Sequence, residues 1–333
     1  MRVSVIGAGI AGLTSALALA ERGCTVEVVD RGAGLGAAAC SRLAGGMLAP
    51  WCERESAEEL VVQLGQEALD YWPRQHRGTV RRGSLVVAPR RDLAELERFS
   101  RRTRHFRRLD AQAVAELEPD LAGRFTAGLF FPDEAHLDPR SAMASLAARL
   151  AELGVSIRFG VDGTDHPVDA DRIVDCRGLA ARDRLPDLRG VKGEMLLIRC
   201  PDVTLVRPVR LLHPRFPLYI VPRAEHLFMV GATMIESDER TRVTVRSMVE
   251  LLNSAYALHP AFAEAEIVEI GCDVRPAFPD NLPRIRRQGR SVFVNGLYRH
   301  GFLLSPALAR RVADMVLDGT CYPEVMDEDH RQQ

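Results

Sequence analysis

The sequence predicts a protein of α/β plus α+β class, in which a parallel sheet layered with helices is interrupted by an inserted antiparallel sheet. Three observations predict it. Residues 3–29 read as strand, glycine turn, helix, strand; a second helix–strand passage of the same style recurs at Pro139–Phe159; and short alternating apolar runs fill Gly193–Ala232.

Taken in order, Val3–Ile6 is a short apolar run of buried-strand type, Ile10–Glu21 a helix closed by Arg22-Gly23, and Thr25–Val29 a second strand. Residues from Ser56 to Tyr71 carry helical spacing, and Pro73 is expected to stop that helix. Strands are expected at Ser84–Ala88 and Gly128–Phe131, separated by charged helical segments at Asp92–Arg102 and Ala111–Leu117. The alanine-rich helix Pro139–Leu153 leads through Gly154 into a strand at Val155–Phe159, and Arg172–Cys176 is another buried strand, closed by Gly178. The alternating runs Glu194–Arg199, Val206–Leu212, Tyr219–Val221 and Leu227–Ala232 then read as antiparallel. A helix at Thr244–Leu258, a strand at Ile267–Asp273, a core strand at Ser291–Asn295 and an amphipathic helix at Leu303–Leu317 complete the chain. Parallel-type units thus lie at both ends and in the middle. The chain is expected to cross between two lobes, with residues 1–78, 139–190 and 283–333 in one and residues 79–138 and 191–282 in the other.

A length of 333 residues exceeds what one compact core usually holds, in keeping with two lobes. Lys+Arg 44 against Asp+Glu 45 leaves a formal charge of -1, which provides no long-range field for nucleic acid or an anionic membrane and points to a small-molecule partner. The cations are arginines except for a single lysine, Lys192. The run Arg98, Arg101, Arg102, Arg104, Arg107 and Arg108 is expected to be a solvated helix face. No apolar stretch has membrane-spanning length and no export leader follows Met1, so a cytoplasmic location is expected. The seven cysteines show neither a C-x-x-C pair nor a histidine spacing suited to zinc, so they read as buried free thiols and no metal site is expected.

The sharpest motif is Gly7-Ala8-Gly9-Ile10-Ala11-Gly12, directly after a strand and opening a helix, with Asp30 ending the next strand. Gly7 permits a tight turn, Gly9 a close approach of backbone to a pyrophosphate, and Gly12 close helix–strand packing, while the helix N-terminus stabilises phosphate charge. Asp30 is placed to accept hydrogen bonds from an adenosine ribose and disfavours a 2′-phosphate. This is a Rossmann-type βαβ fingerprint, and by itself it fits FAD and NAD equally. Two further segments bear on the choice. Ser41-Arg42-Leu43-Ala44-Gly45-Gly46-Met47-Leu48-Ala49-Pro50 is made of small residues whose backbone can lie against a flat ligand, with Gly46 free to take positive φ. Asn295-Gly296-Leu297-Tyr298-Arg299-His300-Gly301-Phe302-Leu303-Leu304-Ser305-Pro306 is a glycine-flanked turn between the last buried strand and the last helix, whose free amides suit the negative charge that a reduced flavin gathers.

Together with Val191-Lys192-Gly193-Glu194, Tyr219-Ile220-Val221-Pro222-Arg223, Val230-Gly231-Ala232-Thr233-Met234 and Val274-Arg275-Pro276, these segments resemble, in order, the D-amino-acid-oxidase-like family of FAD enzymes, and within it the glycine oxidase branch that serves thiamine biosynthesis. The resemblance implies a glutathione-reductase-like FAD domain with an inserted antiparallel sheet roofing the flavin, and non-covalent FAD. It implies that Arg275 binds the substrate carboxylate, that Tyr219 hydrogen-bonds the same group, that Met234 lines the small side of the pocket and that Arg299 sits beside substrate and flavin. Gly7, Gly9, Ile10, Ala11, Gly12, Asp30, Arg31, Ser41, Arg42, Gly46, Met47, Leu48, Val161, Gly178, Arg299, His300, Gly301, Phe302 and Leu303 are the implied cofactor contacts. It further implies a small amino-carboxylate and dioxygen as partners, with hydride transfer to the flavin, hydrolysis of the imine and release of hydrogen peroxide, and it is compatible with a homo-oligomer. Two positions depart from the family pattern. His300 stands where Asn is frequent, and Asp273 lies two residues before Arg275, where it is expected to point to the opposite face of the strand.

Read from the residues alone, Arg275 has a rival reading as a buried salt-bridge partner of Glu194 or Glu269, and Tyr219 and Met234 have a rival reading as core residues. Rival activities are an oxidase of N-substituted glycines such as sarcosine or iminodiacetate, an oxidase of D-amino acids, an NAD-dependent reductase and a nucleotide-binding protein without turnover.

Overall fold

The computed structural model describes residues 1–164, 169–213 and 218–327. Five strands, Arg2–Ile6, Thr25–Asp30, Ser156–Phe159, Arg172–Asp175 and Ser291–Asn295, form a parallel sheet, and Arg284–Gln288 joins its edge antiparallel to Ser291–Asn295. In space the first strand sits between Thr25–Asp30 and Arg172–Asp175. Val3, Val5, Val28 and Val174 are buried in one core with the helices Ile10–Glu21, Pro139–Glu152 and Gly301–Asp318, as expected of a parallel sheet covered on its faces. The helix Ile10–Glu21 packs against Gly301–Asp318, which brings both ends of the chain to the same glycine turn.

The second sheet has nine strands drawn from residues 84–131 and 189–277. Its centre is antiparallel: Arg189–Arg199 lies between Leu227–Gly231 and Glu266–Ala277, and Leu218–Pro222 follows Leu227–Gly231. A separate apolar core, including Leu196, Ile198, Ile220, Phe228 and Val230, fills one face of this sheet under the helix Val245–Leu258. The other face carries Met195, Leu197, Val221 and Met229, against which Leu43, Met47 and Tyr219 pack.

Several elements differ from the expectation. Pro73 does not stop its helix, which runs Glu59–Gln75. So near the C-terminus the ring removes only the bond to Leu69, and His76 N still donates to the Trp72 carbonyl at 2.8 Å. The arginine run is not one helix face: Arg98 lies in the last turn of the helix Leu93–Ser100, while Arg107 and Arg108 lie on the strand Arg107–Asp110. Arg98, Arg102 and Arg108 pair with Glu95, Glu55 and Glu97, so the run carries little net field. The strands Arg107–Asp110 and Arg284–Gln288 are rich in arginine and carry no apolar alternation that sequence reading could detect. All seven cysteines are free thiols, but Cys52, Cys176 and Cys200 alone are buried; Cys24, Cys40 and Cys272 are half-buried and Cys321 is exposed.

Candidate active site

The glycine turn is built by close approach. Gly7 has φ +101, and a Cβ there would stand 2.6 Å from the Cys176 carbonyl oxygen. A Cβ on Gly12 would stand 1.8 Å from the Gly7 oxygen, whereas Gly9 meets nothing nearer than 3.5 Å. The turn is pinned from two sides. Asp30 accepts from Ala8 N at 2.7 Å and from Gly32 N at 2.6 Å, and Ser41 Oγ accepts from Ile10 N at 3.1 Å. A cavity of about 210 Å³ runs from here past Gly9, Ile10, Ala11, Asp30, Arg31, Ser41, Val161 and Gly178 to Gly301 at the start of the last helix.

That cavity continues under the second sheet. An adjoining space of about 70 Å³ is lined by Ile10, Ser41, Gly45, Tyr219, Asp273, Arg275, Tyr298 and Arg299. A third, of about 50 Å³, is bounded by Gly46, Met47, Glu53, Tyr219, Arg299, His300, Phe302 and Leu303. Arg275 donates through Nη1 to the Thr233 carbonyl at 3.1 Å. Its guanidinium lies over Gly193, where a Cβ would come within 2.1 Å of Nη2. It is not the partner of either acid considered above: Glu194 pairs with Lys192 at 3.0 Å and Glu269 with Arg140 at 2.8 Å. Tyr219 rests on Gly45, whose Cβ would be 2.7 Å from Cε2 of the ring. Burial holds its hydroxyl above the usual tyrosine pKa, so Tyr219, which lines the cavity, keeps a proton to donate. Gly45→Ala is expected to push the ring aside and raise KM about 10-fold with FAD retained, since a misplaced positioning group costs about this much; initial rates and the flavin spectrum of the variant check it.

Beside the smallest space lies a buried charge cluster. Glu53 accepts from Arg299 Nε at 2.9 Å and from Arg299 Nη2, and stands 3.8 Å from Arg210 and 3.6 Å from His300 Nδ1. Burial alone would raise its pKa, but the Arg299 charge, with that of Arg210, draws it down to about 2. His300 is lowered to about 4, by burial first and then by the nearby guanidinium groups against Glu53, so the ring is neutral at physiological pH.

Glu134 adjoins this cluster through Oε1, which accepts from Cys52 N at 2.7 Å. Burial pushes its pKa up to about 8. A folded-state pKa above the unfolded value of 4.5 means stability that is present below that value and lost as pH rises to about 8. Glu134→Gln cannot ionise. Its melting temperature is expected to gain on the parent as pH rises from 5 to about 8 and to stay level beyond; a difference that is flat across that range contradicts the assignment.

The model of the FAD dependent oxidoreductase family, DAO, matches residues 2–315. The chain belongs to this family. It is 58% identical over 97% of its length to a Rhizobium etli protein inferred to be the thiamine biosynthesis oxidoreductase ThiO, and covers 99% of that protein. A glycine oxidase of Geobacillus kaustophilus is 28% identical over 94% of this chain and 92% of its own. The crystal structure of glycine oxidase from that organism superposes with a TM-score of 0.82, covering 97% of this chain and 96% of the other at 24% identity, which establishes the common fold.

The residues present fit FAD. A member of the DAO family needs a long cleft with an anion seat near one end and a polar, amide-lined terminus at the other. Here the glycine turn, where added Cβ atoms would collide with backbone, leads to the free N-terminal amides of Gly301–Asp318. Most of the expected contacts line the three spaces, and four expected residues do not. Gly12 packs against Gly7; Arg42 turns to Glu269 at 3.7 Å; the Leu48 side chain is fully buried in the core; and Met234 is 48% exposed, with its sulfur facing Tyr298 and Arg299. Asp273 corrects the expectation outright. Residues two apart on a strand share a face, so Asp273 lines the same space as Arg275, and Arg240 Nε holds it at 2.8 Å. Glu53 and Arg240 escaped sequence reading, and Gly193 entered it only as part of the Val191-Lys192-Gly193-Glu194 segment, without a role. Glu53 had a detectable signal, being the first acid after the small-residue segment; the others acquire their neighbours only through the tertiary fold.

Proposed function

We propose that this protein oxidises glycine or a similarly small amino acid, giving an imine that water hydrolyses to glyoxylate and ammonia while dioxygen is reduced to hydrogen peroxide. One observation carries the reading: Arg275 and Tyr219 together line a space of about 70 Å³ that shares Ile10, Ser41, Tyr298 and Gly301 with the dinucleotide cleft. An apolar cavity of about 150 Å³ accommodates benzene, so a space below half that size suits a substrate with little or no side chain. The likeness to the Rhizobium protein supports a place in thiamine biosynthesis, supplying its thiazole.

Arg275 grips the carboxylate, with its fork oriented by Thr233 and Gly193, and Tyr219 donates to the same group. This fixes the α-carbon above the cleft, and positioning supplies much of the rate. Bound FAD supplies the two-electron acceptor that dioxygen regenerates. Asp30 serves the ribose, Gly9 to Ala11 the diphosphate, Arg31, Val161 and Gly178 the adenosine end, and Gly46, Met47, Phe302 and Leu303 the flavin end. Arg299, neutralised by Glu53, and uncharged His300 keep the flavin end polar without a free cation.

Peroxide release from glycine, sarcosine, iminodiacetate, D-alanine and D-proline tests this. Glycine or a small N-substituted glycine is expected to give the highest kcat/KM, with D-proline at least about 10-fold lower because the pocket must reject added carbons. Peroxide from none of them, or D-proline in the lead, overturns the proposal.

A further inference from the structure

The segment Val191-Lys192-Gly193-Glu194 enters the chemistry described only through Gly193, yet it also holds the chain's single lysine and a fully buried carboxylate. Lys192 Nζ stands 3.0 Å from Glu194 Oε1, with 4% and 0% of the two side chains exposed. A buried ion pair rarely adds stability over apolar packing, so its retention calls for another reason. The pair sits on the sheet face turned away from the substrate space, because Gly193 between them is the residue that faces Arg275.

The connection between the faces is Thr233. Its Oγ1 donates to Glu194 Oε2 at 3.2 Å and accepts from Glu194 N at 2.9 Å, and its own N donates to the Glu194 carbonyl at 3.2 Å. Three bonds to one residue fix the peptide. The Thr233 carbonyl then points through the sheet edge to Arg275 Nη1 at 3.1 Å. Lys192 Nζ also donates to the Arg242 carbonyl, and Thr244 N to Glu194 Oε1 at 3.3 Å, so the far side of the pair is anchored at the start of the helix Val245–Leu258. Glu194 therefore has nowhere else to turn.

We propose that Thr233 is a positioning residue for carboxylate recognition, transmitting the fixed geometry of the buried Lys192–Glu194 pair to the guanidinium of Arg275. The inference rests on the reading of Arg275 as the carboxylate binder. Gly193 provides the room, Glu194 the anchor and Thr233 the orienting acceptor, so the whole segment serves one side chain on the other face.

Thr233→Val keeps the shape and removes both Oγ1 bonds; Thr233→Ser keeps them. The valine variant is expected to raise KM for glycine about 5–10-fold with kcat within about 2-fold, and the serine variant to behave as the parent. FAD affinity should be unchanged in both. In an Arg275→Ala background, Thr233→Val should add nothing, because there is no guanidinium left to orient. Glu194→Gln, which keeps one acceptor oxygen, should fall between parent and valine variant. Two failures are distinguishable. An Arg275→Ala variant that retains its KM sinks the carboxylate reading itself. A large loss in Arg275→Ala, with Thr233→Val unchanged or equally harmful in both backgrounds, sinks the positioning role alone.

Discussion

Arg275→Ala is expected to raise the KM for glycine by about 100-fold or more, the largest effect of any single change in the substrate space, because a charge-assisted fork on a carboxylate is worth about 3 kcal/mol. The side chain is committed to the role by its surroundings. One nitrogen is occupied by the Thr233 carbonyl, the plane is set by Gly193, and no carboxylate of the described residues is paired with it in the structure, so its charge is available to a ligand. Asp273 shares its face but is held by Arg240. Arg275→Lys should recover only a small part of the loss, since an ammonium lacks the planar pair of donors and cannot both reach Thr233 and present two bonds. Initial rates of peroxide release give KM, and perturbation of the flavin spectrum by a non-reacting carboxylate gives affinity without turnover. Both should move together; a variant with parental values in both assays refutes the role.

The parts of this site that were legible in the sequence are those whose physics is local. The run Gly7 to Gly12 states its purpose because turn, helix start and acid lie in register within thirty residues, and the order of the elements around it follows from apolar periodicity. The substrate space was legible only through resemblance, since Tyr219, Arg275 and Arg299 come from three distant segments. Small residues were the hardest to interpret. Gly45 and Gly46 were expected to let backbone approach a flat ligand, yet Gly45 clears space for the Tyr219 ring, and Gly46, at φ +76, is pressed to within 2.1 Å of the Leu137 oxygen at the position of an added Cβ. A glycine that yields room to another part of the protein looks the same in sequence as one that yields room to a ligand. Asp273 was misplaced for a different reason: the two-residue period of a strand, applied to 273 and 275, puts both on one face, and that was decidable from the numbers alone. What could not be read was its partner, since Arg240 arrives from a separate connection.

The same distinction makes Gly12 the most damaging position in the cofactor site, although it lines no part of the cleft. Its added Cβ would stand 1.8 Å from the Gly7 oxygen and 3.0 Å from the Gly7 carbonyl carbon, both backbone atoms of a residue already fixed at φ +101. No side chain can swing away to relieve this. Either the helix Ile10–Glu21 shifts along its axis, or the turn opens; each moves the amides of the helix N-terminus away from the diphosphate seat and loosens the bond from Ala8 N to Asp30. Gly12→Ala is therefore expected to lower FAD affinity by about 100-fold or more, on the scale of several lost charge-assisted bonds. Purified variant protein should be colourless unless FAD is added in large excess, when its absorption should partly return. Gly34→Ala is the control, because a Cβ there meets nothing within 4 Å and its backbone is not in the left-handed region. It should bind FAD as the parent does. A yellow Gly12→Ala protein with parental affinity would mean that the third glycine of the fingerprint is dispensable for helix–strand contact and that the helix N-terminus keeps its place without it.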